Sequence, residues 1–136
     1  MTDGTKIGII VRDDLLVWQK LNVTAFLVAG IAAAAPESIG DQYEDGSNNT
    51  YLPILGQPVF VYAASAEHLQ RTRLRALSRE VPTAIYTRDM FATNNDVDNR
   101  AVVKAVAADD LDIVGIALRA DAKTFDKIIN GLKLHG

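Results

Sequence analysis

Ile7, Ile9, Ile10 and Val11 form an apolar run broken only by Gly8. No polar residue alternates with them, the pattern of a strand covered on both faces of a layered α/β sheet. Gly8 inside such a run predicts the close approach of another backbone element. From Leu21 to Ala35 the chain is apolar nearly all round, which predicts a deeply buried helix bounded by Pro36. Gly30 within it predicts a close contact with a neighbouring element. Residues 37–52, ESIGDQYEDGSNNTYL, are acidic and rich in turn formers and read as a long loop.

The second half alternates again. Val59–Ala63 reads as a second strand, and Ser65 as the cap of a helix from Ala66 to Arg79. Pro82 leads into a third strand, Thr83–Thr87. After the polar junction RDMFATNNDVDNR, a short helix is predicted from Asn95 to Ala107, with Val102, Val103 and Val106 on one side. Asp112–Leu118 is the fourth strand. Asp121 caps a last helix, where Phe125, Ile128, Ile129 and Leu132 fall at i, i+3, i+4 and i+7. This order of strands and helices predicts one α/β domain over residues 1–136, with helices on both faces of a mixed sheet. No repeat, low-complexity tract or linker interrupts it.

Composition narrows the classes. A hydrophobic share of 49% supports a real core, and 23% charged residues is ordinary for a globular protein. A net charge of -3 and a pI near 5.3 count against a dedicated nucleic-acid binder, which carries a basic excess. The absence of cysteine removes disulfides, thiol nucleophiles and thiolate metal sites. MTDGTK lacks the layout of a signal peptide, and the run Val23–Ala35 is shorter than the roughly 20 residues a membrane span needs. The reading is a soluble, cytoplasmic chain that does not enter a membrane.

At this stage short motifs gain meaning from their order. Arg12-Asp13-Asp14-Leu15 follows the first strand, and Gln19-Lys20 precedes the apolar helix. Gly56-Gln57-Pro58 precedes the second strand. Arg88-Asp89 with Thr93 and Asn94 follows the third, and Gly131-Leu132-Lys133-Leu134 closes the chain. In this succession the chain resembles the class-two peptidyl-tRNA hydrolases along nearly its whole length. It departs from them where Phe91 and Ala92 replace a motif glycine and its neighbour, where Asn94 replaces a glutamine, and where the first helix lacks the family's Gln and His. The departures place it nearer a divergent, uncharacterised bacterial branch. The resemblance implies a three-layer α/β/α sandwich with a four-stranded sheet in the order 2-1-4-3, the fourth strand antiparallel to the first, and a homodimer.

It also implies a site. Lys20 and Asp89 would lie beyond the carboxyl ends of parallel strands, where open α/β sheets bind ligands. In a hydrolytic member Lys20 would polarise or activate, Asp89 would orient, and Thr93 would hydrogen-bond substrate or water in cleaving the peptidyl-tRNA ester. Asp14, Trp18, Phe91 and Asn94 would line the same pocket. The plainer alternative is an exposed ion pair worth roughly 0–1 kcal/mol. Asp13, Asp14 and Asp89 together suggest a hard cation, but Arg12 and Lys20 already supply counter-charge, one Asp suits a helix cap, and no metal or other cofactor is assigned. Arg71, Arg75 and Arg79 share a helical face, read as a solvated stripe rather than a phosphate track. His68 is expected to be exposed and His135 to be mobile at the terminus. No phosphate loop, serine elbow or zinc motif is present. The favoured function is binding of a small ligand or a protein partner, with tRNA disfavoured. The alternative is a divergent hydrolase acting on the peptidyl-tRNA ester or a related ester.

Overall fold

The computed structural model describes residues 4–136. Its strands and helices run β1 (Thr5–Arg12), α1 (Val17–Ala34), β2 (Tyr43–Glu44), β3 (Thr50–Tyr51), β4 (Val59–Ala64), α2 (Ala66–Ser78), β5 (Thr83–Thr87), α3 (Asp96–Lys104), β6 (Ile113–Asp121), α4 (Ala122–Ile128) and β7 (Lys133–Leu134). The main sheet has the order β5-β6-β1-β4-β7. Its four longer strands therefore follow the predicted succession, with β4 parallel and β6 antiparallel to β1. The count differs: β7 adds a fifth strand, pairing Leu134 with Tyr62 and Lys133 with Ala63. Two residues are too few for a strand period to show in the sequence.

Strand alternation sorts the core into two layers. Ile7, Ile9 and Val11 of β1 pack with Val23, Leu27 and Ile31 of α1. Ile10 faces the other way, among Leu69 of α2, Phe125 and Ile128 of α4, and Ile116 of β6. The result is a three-layer α/β/α sandwich. Two strand glycines set its spacing. A Cβ on Gly115 would stand 2.3 Å from Cγ1 of Val23, so α1 lies directly on β6 there. A Cβ on Gly8 would stand 2.6 Å from Cζ of Phe125, so the element approaching Gly8 is an aromatic ring and not a backbone. Gly30 does mark a close contact, since its Cβ would lie 3.0 Å from Cβ of Ala84 on β5.

Three local expectations need correction. The first helix begins at Val17, where the Leu16 N–H donates to Oε1 of Gln19 at 3.0 Å, so neither Asp13 nor Asp14 caps it. It is not deeply buried: only Val23, Leu27 and Ile31 are, while Val17 is 74% and Leu21 67% exposed. An all-apolar pattern cannot say which stripe meets the sheet, and this helix covers the sheet with one stripe and leaves the rest open. At 18 residues it also has the length and mean hydropathy (1.3) of a membrane span, though its buried stripe is part of the sandwich. Finally, residues 37–52 are not a plain loop. A 3₁₀ turn at Pro36–Ser38 precedes the hairpin β2–β3, whose turn Asp45 organises by accepting hydrogen bonds from Ser47, Asn49 and Tyr51. Those bonds, led by the one from Tyr51, hold the Asp45 carboxyl well below the usual carboxylate range. The caps fall where predicted, with His68 N–H donating to Ser65 and Thr124 N–H to Asp121.

Candidate functional site

The carboxyl ends of β1, β4 and β5 share one rim with the start of β6. A crevice is expected there; a ring of paired charges lies across the rim. Arg12, at the end of β1, donates to Asp112 at 2.8 Å, to Asp14 at 3.3 Å and to the Ile113 carbonyl at 3.1 Å. Arg88, just past β5, donates to Asp112 at 3.0 Å and to Asp14 at 3.4 Å. Each carboxylate thus bridges both guanidinium groups. Bonding from Arg12 is the main cause that holds the Asp112 carboxyl below its ordinary value. Burial alone would lower the Arg12 pKa, but Asp112 and Asp14 outweigh it and leave it raised. With Asp14 held by the two arginines, the carboxylates considered for a cation do not assemble, and no group of three or more potential metal ligands occurs among the described residues.

Lys20 and Asp89 do not pair among the described residues. Trp18 and Lys20 are two residues apart on α1 and so point about 200° apart around its axis. Trp18 turns toward the 3₁₀ turn Arg88–Ala92, where its ring meets Phe91 edge-on at 5.9 Å. Lys20 turns the other way and donates to Nε2 of His135 at 3.1 Å. The His135 Nδ1 lies 2.7 Å from the Gly136 oxygen, which suits a proton on Nδ1 and leaves Nε2 as acceptor. His135 is not loose: its N–H donates to the Val61 carbonyl at 2.8 Å. Asp89 sits exposed on the same 3₁₀ turn as Phe91.

Phe91 explains what became of the expected cleft. Its ring lies 5.1 Å from Tyr86, and Tyr86 lies 5.8 Å from Phe26. Trp18, Phe91, Tyr86 and Phe26 therefore form a continuous aromatic row between α1 and the end of β5. Burial raises the pKa of the Tyr86 phenol, against the opposing effect of a bond with Asn22, so the hydroxyl stays protonated at neutral pH.

The arginine stripe of α2 divides. Arg75 reaches the carbonyls of Ile128 and Asn130 at 3.4 and 2.7 Å and clamps the end of α4. Arg79 bonds within its own helix end. Arg71 remains an exposed charge.

Open space lies elsewhere, beside β5. A groove of about 1020 Å³ runs between α1, the outer side of β5 and α3. Its apolar part includes Phe26, Leu27, Gly30, Ala84, Met90 and Ala101. Its polar wall includes Thr93, Asn94, Asn99, Lys104 and the ion pair of Asp96 with Arg100. Asn95 caps α3 by accepting from the Asp98 N–H at 2.8 Å. Thr93 donates to the Met90 carbonyl at 2.9 Å and bonds Asn99, which ties α3 to the 3₁₀ turn. Of the residues expected at a site, Thr93 and Asn94 line this groove. Asp14, Trp18, Lys20, Phe91 and Asp89 do not. Sequence reasoning missed Phe26, Ala84 and Ala101 because none carries chemistry; the available signal was an apolar third strand followed by a polar helix.

No curated protein matches the chain. A solved structure described as a protein of unknown function, Atu0240 from Agrobacterium tumefaciens str. C58, is similar throughout. It shares 49% identity, with 99% of this chain and 100% of that chain covered and a TM-score of 0.97. Neither this likeness nor the family match below carries a link to peptidyl-tRNA hydrolases. Residues 5–136 match the family described as protein of unknown function (DUF2000), and the chain belongs to that family.

Proposed function

We propose that this protein is a binding protein that holds a largely apolar ligand in the groove between α1, β5 and α3, and that it does not cleave peptidyl-tRNA. The groove is the observation that carries this reading. Its volume of about 1020 Å³ stands at the upper end of the roughly 300–1,000 Å³ typical of ligand pockets. Its lining has the composition of such sites, an apolar bed with a few convergent amides and charges. On the other side, the amine invoked for hydrolysis turns to His135 and away from the turn that bears Asp89.

Titration with 1-anilinonaphthalene-8-sulfonate tests the reading, with Ala101→Trp as control. Ala101 is an exposed groove residue on α3, so the larger ring fills the groove without entering the core. Saturable binding by the wild type, weakened at least tenfold in the variant, supports the proposal. Equal binding by both refutes it.

A second reading concerns assembly. The open apolar side of α1, with Val17 74% and Leu21 67% exposed, supports a homodimer that covers it. Sedimentation of the wild type as a dimer and of Leu21→Glu as a monomer is the expected result. A monomeric wild type rejects it.

A further inference from the structure

The identity of the groove's occupant follows from the main chain of β5. Among the described residues this strand has β6 on one side and no strand on the other. Arg88 N–H donates inward, to the Asp112 carbonyl at 2.9 Å. Thr87 N–H points the opposite way, to Sδ of Met90 at 3.3 Å. In an antiparallel ladder the main-chain groups of successive residues alternate between the two sides. Thr83 and Ile85 therefore share the outward direction of Thr87. The side chain of Ile85 packs with Val81 and Leu111 on the α2 side of the sheet. What Ile85 presents to the groove is consequently its backbone.

Sheet edges are ordinarily blunted by charge, proline, a bulge or extreme shortness, because an open edge recruits another strand. The far edge obeys this rule, since β7 has two residues. The near edge does not. β5 has five residues, Thr-Ala-Ile-Tyr-Thr, without charge or proline. Its irregularity is an extra residue, Val114, on the inner neighbour opposite the Tyr86–Thr87 step. The element facing this edge is α3, a helix with no buried residue, and the groove remains between the two. An apolar small molecule would fill the bed at Phe26 and Ala84 but would leave the donors and acceptors of the edge unanswered.

We infer that the occupant is an extended peptide segment that adds to β5 as a further strand of the main sheet, resting on the groove-binding reading above. Its backbone pairs with Thr83 and Ile85, and every second side chain, small or β-branched and apolar, lies against Phe26, Gly30 and Ala84. At about 3.4 Å per residue, the unpaired edge admits about five residues.

The probe is a heptapeptide of alternating valine and threonine between terminal glutamates, acetylated and amidated. Its counterpart carries N-methyl groups on the three central residues. Binding to the full chain is followed by backbone amide shifts. The wild type is expected to bind the first peptide with shifts at Thr83 and Ile85, and to bind the N-methylated peptide at least tenfold more weakly. Thr83→Pro removes one outward donor without touching the ladder to β6, and is expected to weaken the peptide several-fold while leaving the anilinonaphthalene probe unaffected. Equal binding of the two peptides overturns the inference whether or not the proline variant folds. Binding of the apolar probe with no binding of either peptide also overturns it, and leaves the groove as a small-molecule site. Failure of probe and peptides alike removes both readings.

Discussion

Arg12→Ala tests the charge ring at the carboxyl rim. The Arg12 side chain is 11% exposed, whereas its partners Asp14 and Asp112 are 54% and 46% exposed. Solvent therefore screens each pair to about 0.5–1 kcal/mol. Loss of the bond to the carbonyl of Ile113, a buried residue, adds about 0.5–1.5 kcal/mol, and loss of packing by the buried stem about 1 kcal/mol. The expected destabilisation is about 3 kcal/mol. Unfolding entropies near 2.1 cal/mol/K per residue put the slope for a 136-residue chain at about 0.3 kcal/mol per degree, so Tm falls by about 10 °C. Urea denaturation and thermal melts of the wild type, Arg12→Ala, Asp112→Asn and the double variant supply both the loss and the coupling. Coupling of about 1 kcal/mol is expected, because Asp112 retains Arg88 when Arg12 is gone. A fall in Tm below about 3 °C, with no coupling, would show that the ring contributes nothing to stability.

Further outcomes follow from neighbouring features. Gly115→Val places carbon within 2.3 Å of Val23 and 3.0 Å of Leu27, so it should cost about 1–3 kcal/mol in urea unfolding; an unchanged midpoint would mean that α1 does not rest on β6. The Asp112 pKa is depressed in the folded chain, mainly by Arg12. Its stabilisation is therefore present above the unfolded value of about 3.9 and is lost as pH falls through the lower folded value. The Tm difference between the wild type and Asp112→Asn should accordingly be full at neutral pH and shrink below about pH 4; a difference independent of pH contradicts the pairing. Wild type and Lys20→Ala should be alike in showing no peptidyl-tRNA turnover above background, and turnover by the wild type that the variant loses would restore the hydrolase reading.

Much of the fold was legible because its strands are long enough to show a period and are bounded by strong punctuation. Ser65 and Asp121 announce their helices, and the unbroken apolar run of β1 announces a doubly covered strand. Less legible were features decided by partners distant in sequence. The exposed side of α1 cannot be told from its buried stripe when both are apolar. β7 is too short to carry a pattern, and with it the partner of Lys20 was hidden, since His135 is placed by pairing with β4. The surroundings of Lys20 were illegible for the same reason. Lys20 and Asp89 lie at plausible strand ends, yet a difference of two residues between Trp18 and Lys20 sends their side chains to opposite sides of one helix. The residues that line the groove are mostly apolar or amide, and only the sheet order reveals that β5 is an edge.

The openness of that edge is the central claim, and amide hydrogen exchange of the unliganded chain measures it residue by residue. Ala84 and Tyr86, paired inward to β6, should exchange slowly, while Thr83 and Ile85, directed into the groove, should exchange quickly. Uniform protection of all four would contradict the claim, because the outer side of β5 would then already be paired.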